Sequence, residues 1–132
     1  MRMPTEHEDQ VCLMRWKELR KATLPELELL YSVENGGLRN KITGARLKAA
    51  GIRRGVPDLC LPVPRGGFHA LYVELKRQGS GVVSPEQKWW LEELNRQGCC
   101  ATVCYGWDDA RQVIENYLLG DEVRKKIMDH AP

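Results

Sequence analysis

The chain has 132 residues, 42% of them hydrophobic and 29% charged, and a formal net charge of +2; that is enough for one domain with a real core and too little for two ordinary ones. No apolar run approaches the roughly 20 residues that a bilayer-crossing helix requires, and the opening "MRMPTEHEDQ" places a proline and several acids where a secretory signal needs an apolar stretch. These features exclude membrane and secreted classes and predict a soluble, cytoplasmic protein, while the small net charge leaves any nucleic-acid footprint to the distribution of charge.

The first expected helix covers Glu6 to Arg20, where Val11, Leu13, Met14, Trp16 and Leu19 recur at three- and four-residue steps. Pro25 restarts the chain. Leu30 to Val33 then reads as a short strand or extended segment closed by the turn signal Asn35-Gly36-Gly37.

Between residues 38 and 56 the chain carries Arg39, Lys41, Arg46, Lys48, Arg53 and Arg54 and no acid. Thr43 is a candidate N-cap for a helix within this stretch, with Gly51 as the residue that ends it.

Two strands are expected over Asp58 to Val63 and His69 to Lys76, joined by the bend Pro64-Arg65-Gly66-Gly67-Phe68. Ser84, Pro85 and Gln87 form a strong helix start, with Ser84 and Gln87 in capping-box relation, and Gly98 stops that helix after Gln97. "CCATVCYG" reads as a buried strand, followed by a helix opening at Asp108 or Asp109. The chain ends, over 121–132, in a charged tail or short helix.

This order implies a three-layer α/β sandwich, with a mixed sheet of about four strands and flanking helices. The hairpin makes one strand pair antiparallel, and the helix before the last strand implies a parallel crossover. The five cysteines, Cys12, Cys60, Cys99, Cys100 and Cys104, are an odd number with no C-x-x-C pair and no histidine at matching spacing, and are expected to be reduced core residues.

The chemistry concentrates in the hairpin. Residues alternate across a strand, so Tyr72, Glu74 and Lys76 share one face and Val73 and Leu75 the other; Asp58 and Cys60 likewise oppose Leu59, Leu61 and Val63. A five-residue bend from Pro64 to Phe68 sets Asp58 across from Glu74, with Cβ atoms about 4.5–5.5 Å apart. A four-residue turn would instead set Asp58 across from Val73.

Two opposed carboxylates repel unless a cation lies between them. A hard ion such as Mg²⁺ suits two carboxylates, and Lys76 on the same face can stabilise an anionic oxygen. The competing reading is a solvated charged edge, with Asp58 simply following Pro57.

Val56-Pro57-Asp58 followed by Glu74-Leu75-Lys76 resembles the PD-(D/E)XK motif of restriction-endonuclease-like nucleases. Glu6 with Gln10, "ENGG" at 34–37, "GVPDL" at 55–59, "PRGG" at 64–67, "VELK" at 73–76 and "SPEQ" at 84–87 look more specifically like the VRR-NUC branch, the virus-type replication-repair nucleases, in its small stand-alone phage form. Val33-Glu34 departs from the apolar-proline pair expected before "NGG".

The resemblance implies a single nuclease domain over residues 1–120 with a restriction-endonuclease-like fold. It also implies Mg²⁺ or Mn²⁺ held by Asp58, Glu74, the main-chain carbonyl of Leu75 and an acid of the first helix, Glu6 with Glu8 as the alternative. Lys76 would serve the catalytic water and Gln87 would complete the active site. Arg39, Lys41, Arg53, Arg54, Arg65 and Arg77 are the candidate DNA contacts.

The expected activity is structure-specific DNA cleavage by a homodimeric four-way (Holliday) junction resolvase in phage replication or repair. The alternatives are a monomeric flap- or nick-directed nuclease and a non-catalytic DNA-binding module. Trp89 and Trp90, adjacent on one helix, raise the expectation that one of them is exposed, either for a partner or half-buried at the rim.

Overall fold

A computed structural model describes residues 2–33 and 41–120, the side chains of 41–43 excepted. The chain builds α1 (Glu6–Arg20), a 3₁₀ turn (Pro25–Leu29), β1 (Tyr31–Ser32), α2 (Lys41–Ala49), β2 (Leu59–Leu61), β3 (Leu71–Lys76), α3 (Pro85–Arg96), β4 (Cys100–Tyr105) and α4 (Trp107–Leu119). The expected order of elements therefore holds. Asn35-Gly36-Gly37 and the 121–132 tail lie outside the described residues.

The four strands form one sheet in chain order. β1 and β2 are antiparallel, as are β2 and β3, while β3 and β4 run parallel across the α3 crossover. Leu71, Val73 and Leu75 of β3 pack on one face with Leu59 and Leu61 of β2, Cys104 of β4, Leu13 of α1, and Ala110, Ile114 and Leu118 of α4. The other face carries Cys60, Tyr72, Glu74 and Lys76, and α3 attaches there through Asn95, whose side chain brackets Ala101 by accepting from its N–H (2.9 Å) and donating to its carbonyl (2.9 Å). The result is the expected three-layer α/β sandwich.

Several boundaries differ from expectation for identifiable reasons. β2 spans only Leu59–Leu61 because Pro62 and Pro64 lack the N–H a ladder needs. β3 begins at Leu71, after His69 has donated its N–H to the Gly98 carbonyl (3.0 Å). α2 begins at Lys41, so Thr43 lies inside the helix and is not its N-cap. Gly51, at φ +93°, follows its end as expected.

Leu19, expected on the buried face of α1, is 82% exposed; Leu13 is the fully buried residue of that helix. α4 begins at Trp107, earlier than either aspartate, and its N-cap Gly106 has no side chain to offer. Asp9 of α1 replaces it, accepting from the Trp107 N–H at 3.2 Å. One helix is thus capped by another, and no local sequence signal announces this.

The hairpin tip decides the register. Arg65 and Phe68 exchange both backbone hydrogen bonds (3.1 and 2.8 Å) around Gly66 and Gly67, both with positive φ, as a tight two-residue turn requires. In the strands the partners are Leu61 with Leu71, Cys60 with Tyr72 and Leu59 with Val73. Between tip and strands, Pro62-Val63-Pro64 faces only His69-Ala70, so the first strand carries one extra residue, a bulge. The carbonyl of Val63 in that bulge accepts from the Tyr117 hydroxyl of α4 at 2.6 Å. Continued one residue, the strand register sets Asp58 across from Glu74, as the five-residue bend required, and rules out the register that faced Asp58 with Val73.

Candidate active site

The site is built at the end of the sheet where β3 finishes. Pro57 is fully buried and fixes the approach to β2. The Asp58 carbonyl accepts from the Val33 N–H at 2.7 Å, and its side-chain Oδ2 accepts from the Leu75 N–H at 2.8 Å. One carboxylate oxygen is thereby anchored on the strand that carries Glu74 and Lys76.

Glu74 is 1% exposed and its Oε1 has no hydrogen-bond partner among the described residues. Burial first, and then the hydrogen bond and charge of Asp58, push its carboxyl up to about 9; Lys76 pulls in the opposite direction and Glu6 adds to the rise. Lys76 is 7% exposed, and its stem is covered by Gly81, where a Cβ would stand 2.6 Å from the Lys76 Cβ.

Gln87 lies in the first turn of α3. Its Oε1 accepts from the Ser84 N–H (2.9 Å) and its own N–H donates to the Ser84 hydroxyl (3.2 Å), the expected capping box. The α3 N-terminus reaches this region because Gly55 packs directly on it. A Cβ at Gly55 would meet the Glu86 carbonyl carbon at 2.6 Å, and its φ of +88° already favours glycine. Gly55 and Gly81 are the residues sequence reasoning missed: their role is the absence of a side chain, visible only once distant backbone is brought against them.

The two acids of α1 separate cleanly. Glu8 closes a capping box with Thr5 and pairs with Arg2 at 2.8 Å, and those bonds, Arg2 foremost, hold its carboxyl down at about 2. Glu6 is exposed on the same first turn, and its charge reaches Glu74. Among the described residues no three His, Cys, Asp or Glu side chains converge into a ready cage for a metal. The donor set is the Asp58–Glu74 pair, with Glu6 nearby.

That pair nevertheless suits a hard cation. A buried carboxylate facing a second acid, with an oxygen that has no partner among the described residues, is the kind of oxygen donor pair that a divalent ion takes.

The candidate DNA contacts disperse. Arg54 is exposed, as are Arg46 and Lys48 of α2. The Arg53 guanidinium lies over both Trp89 and Trp90, 5.7 and 5.2 Å from their ring centres, while Trp90 Nε1 donates to the Arg54 carbonyl at 3.0 Å. The two tryptophans touch edge to face with centres 5.4 Å apart, so both bear on this loop; Trp89 remains 48% exposed.

Arg65 sits at the opposite end of the hairpin from the acids and pairs with Glu26 at 2.6 Å. Arg77 donates to the Met3 carbonyl at 3.1 Å, and its buried Nε has no partner among the described residues. Arg39 and the side chain of Lys41 lie outside the described residues.

All five cysteines are free thiols, with Cys60 and Cys104 buried. Among the described residues no helix is long and apolar enough to cross a membrane.

Comparison with known proteins agrees with this geometry. No curated protein matches the chain. A solved structure described as a VRR_NUC domain protein superposes with a TM-score of 0.78 at 30% identity, covering 89% of this chain and 91% of the other. The family model of the VRR-NUC domain matches residues 3–108, a span that includes the Asp58, Glu74, Lys76 and Gln87 positions. The chain belongs to the VRR-NUC family and carries a nuclease-type domain.

Proposed function

We propose that the chain is a metal-dependent, structure-specific DNA endonuclease of the PD-(D/E)XK type, acting as a homodimeric four-way junction resolvase in phage DNA replication or repair. The observation that carries this reading is the Asp58–Glu74 pair: two facing carboxylates, one buried with an oxygen that has no partner among the described residues, beside a buried lysine on the same face. A structural ion pair does not need the second acid, and a solvated edge does not bury it.

Asp58, Glu74, the Leu75 carbonyl and Glu6 are the residues that would hold Mg²⁺ or Mn²⁺. The ion supplies Lewis-acid polarisation of the scissile phosphate and makes an attacking water more acidic. Asp58 and Glu74 fix the anionic pocket; Lys76 stabilises charge on the water or on a phosphate oxygen. Gln87 commits its carbonyl oxygen to Ser84 and keeps its amide Nε2 to orient water or backbone.

DNA is held through phosphates by Arg46, Lys48 and Arg54, with Arg53 braced on the tryptophans, giving steep salt dependence without base readout. Two symmetric cuts across a junction need two active sites, which a twofold dimer provides.

The test is to assay Asp58→Ala, Glu74→Ala and Lys76→Ala separately on junction, flap and duplex DNA with Mg²⁺, Mn²⁺ or EDTA, alongside the size of the protein in solution. The reading expects metal-dependent junction cleavage by a wild-type dimer and loss in each variant. Cleavage retained in all three variants, or cleavage in EDTA, would overturn it. Preference for flaps by a monomer would replace the resolvase with a flap nuclease.

A further inference from the structure

The face that carries the acids continues past them. Tyr31 of β1 stands across from Cys60 of β2, and Cys60 across from Tyr72 of β3, so the three form one row on the side of the sheet opposite the hydrophobic core. Cys60 is 2% exposed, lies between the two tyrosines and interacts with both phenols. Tyr31 is 52% exposed, and Tyr72 is partly so.

The next row along the sheet is the acid pair. Tyr72 precedes Glu74 by one pleat period on the same strand, and Tyr31 is the diagonal cross-strand neighbour of Asp58, a spacing of about 7–8 Å. An exposed ring is thus fixed beside the two carboxylates at a distance on the scale of one nucleotide of an extended strand.

β1 explains why the ring stays there. Leu30, just before Tyr31, is buried in the core at 2% exposure, and its carbonyl accepts from the Lys17 ammonium at 2.7 Å. The hydroxyl of Ser32, just after it, accepts from Gln10 of α1 at 2.9 Å. Both neighbours of Tyr31 are held on the α1 side, which forces Tyr31 to the opposite face by strand alternation. The protein anchors two layers of contacts around a residue that it leaves open.

We infer that Tyr31, supported by the Cys60–Tyr72 row, is a stacking platform for an unpaired nucleobase next to the Asp58–Glu74 site. A single exposed aromatic ring takes any base by its π-face and needs that face free, so the platform selects unstacked nucleotides without reading sequence. Tyr31 is a positioning residue: it fixes the strand against the acid row and does not act on the phosphate. This inference rests on the nuclease reading for its substrate, and branched or single-stranded ends are the DNA that present such a base.

The test combines binding with kinetics. An oligonucleotide carrying 2-aminopurine in a single-stranded arm is titrated into Glu74→Gln protein with Tyr31 intact or changed to Ala, Leu or Phe, with thermal melting as the folding control. Cleavage of the same arms, with and without an abasic position, is measured on the wild-type acid pair.

Quenching of 2-aminopurine is expected with Tyr31 intact and in Tyr31→Phe, and lost in Tyr31→Ala and Tyr31→Leu; Leu keeps apolar bulk, so its failure isolates the ring. Tyr31→Leu is expected to raise KM for single-stranded arms about five- to 100-fold, with a smaller change in kcat. An abasic arm should bring the wild type to the level of Tyr31→Leu and leave that variant unchanged.

Equal quenching and equal KM in wild type and Tyr31→Leu, with cleavage intact, overturn the platform and leave the nuclease reading standing. Tyr31-dependent quenching without any metal-dependent cleavage supports the platform and overturns the nuclease reading. Absence of both overturns both.

Discussion

Along β3, Leu75 and Glu74 are neighbours and equally inaccessible, 1% exposed each, yet they face opposite sides of the sheet. Leu75 joins a continuous cluster with Leu13, Cys104 and Ile114. Glu74 meets another acid, keeps an oxygen without a partner among the described residues and is pushed up to about 9. Burial stabilises the first side chain, through apolar area removed from water, and penalises the second, because a charge loses its hydration. One strand thus carries both a core side chain that supports the fold and a local conflict with it, the conflict that the proposed metal site would relieve.

The largest expected effect comes from removing that conflict. Glu74→Gln should abolish metal-dependent cleavage while raising the melting temperature of the metal-free protein, because it removes a buried acid facing Asp58. Lys76→Ala should lower kcat by about 10²–10³-fold. A Glu74→Gln protein less stable than wild type without metal would break the contrast between the two faces.

On the core face the same kind of change acts through volume. Leu75→Ala or Ile114→Ala should destabilise the fold by about 2–5 kcal/mol through lost transfer energy and the cavity left behind. Urea unfolding measures this, and it should be independent of added metal except through binding itself.

A third contrast is in pH. The folded state holds the Glu74 proton up to about 9, whereas the unfolded chain releases it near the ordinary value of 4.5. Over that window the folded state binds more protons than the unfolded one, so metal-free stability falls as pH rises. Denaturation at stepped pH should show the slope in wild type and lose it in Glu74→Gln. Saturating Mn²⁺ should weaken or reverse it, since ion binding favours the carboxylate.

The smallest effect sharpens the role of Asp9. Asp9→Ala should destabilise by about 0.5–2 kcal/mol, as loss of a helix cap does. Asp9→Asn keeps an acceptor for the Trp107 N–H and removes a charge from a carboxylate whose Oδ2 is buried without a partner among the described residues. It should be closer to wild type than Asp9→Ala; the reverse order would show that the charge itself is required there.

Local signals carried much of this fold. The Ser84–Gln87 capping box, the glycines after α2 and α3, and the alternation in Tyr72-Val73-Glu74-Leu75-Lys76 are short-range patterns whose physics is complete within a few residues, and each reads the same in the structure. The same alternation placed Asp58 and Cys60 on one face and left a single question, the register. What was not legible depends on neighbours far along the chain: the exposure of Leu19, the cap that Asp9 gives α4, and the close approaches that demand glycine at 55 and 81.

The sequence by itself determined that Glu74 and Lys76 share a face, because the pleat repeats every two residues whatever the rest of the chain does. It also determined that a hairpin joins their strand to the one bearing Asp58. Only the tertiary structure decided that the two acids meet. The Gly66-Gly67 turn alone would face Asp58 with Leu75, and the extra residue at Pro62-Val63-Pro64, held by the Tyr117 hydroxyl from α4, moves it to Glu74. Register is a count of residues across a turn, and here the carbonyl in the bulge that changes the count is satisfied by a side chain from a helix far along the chain.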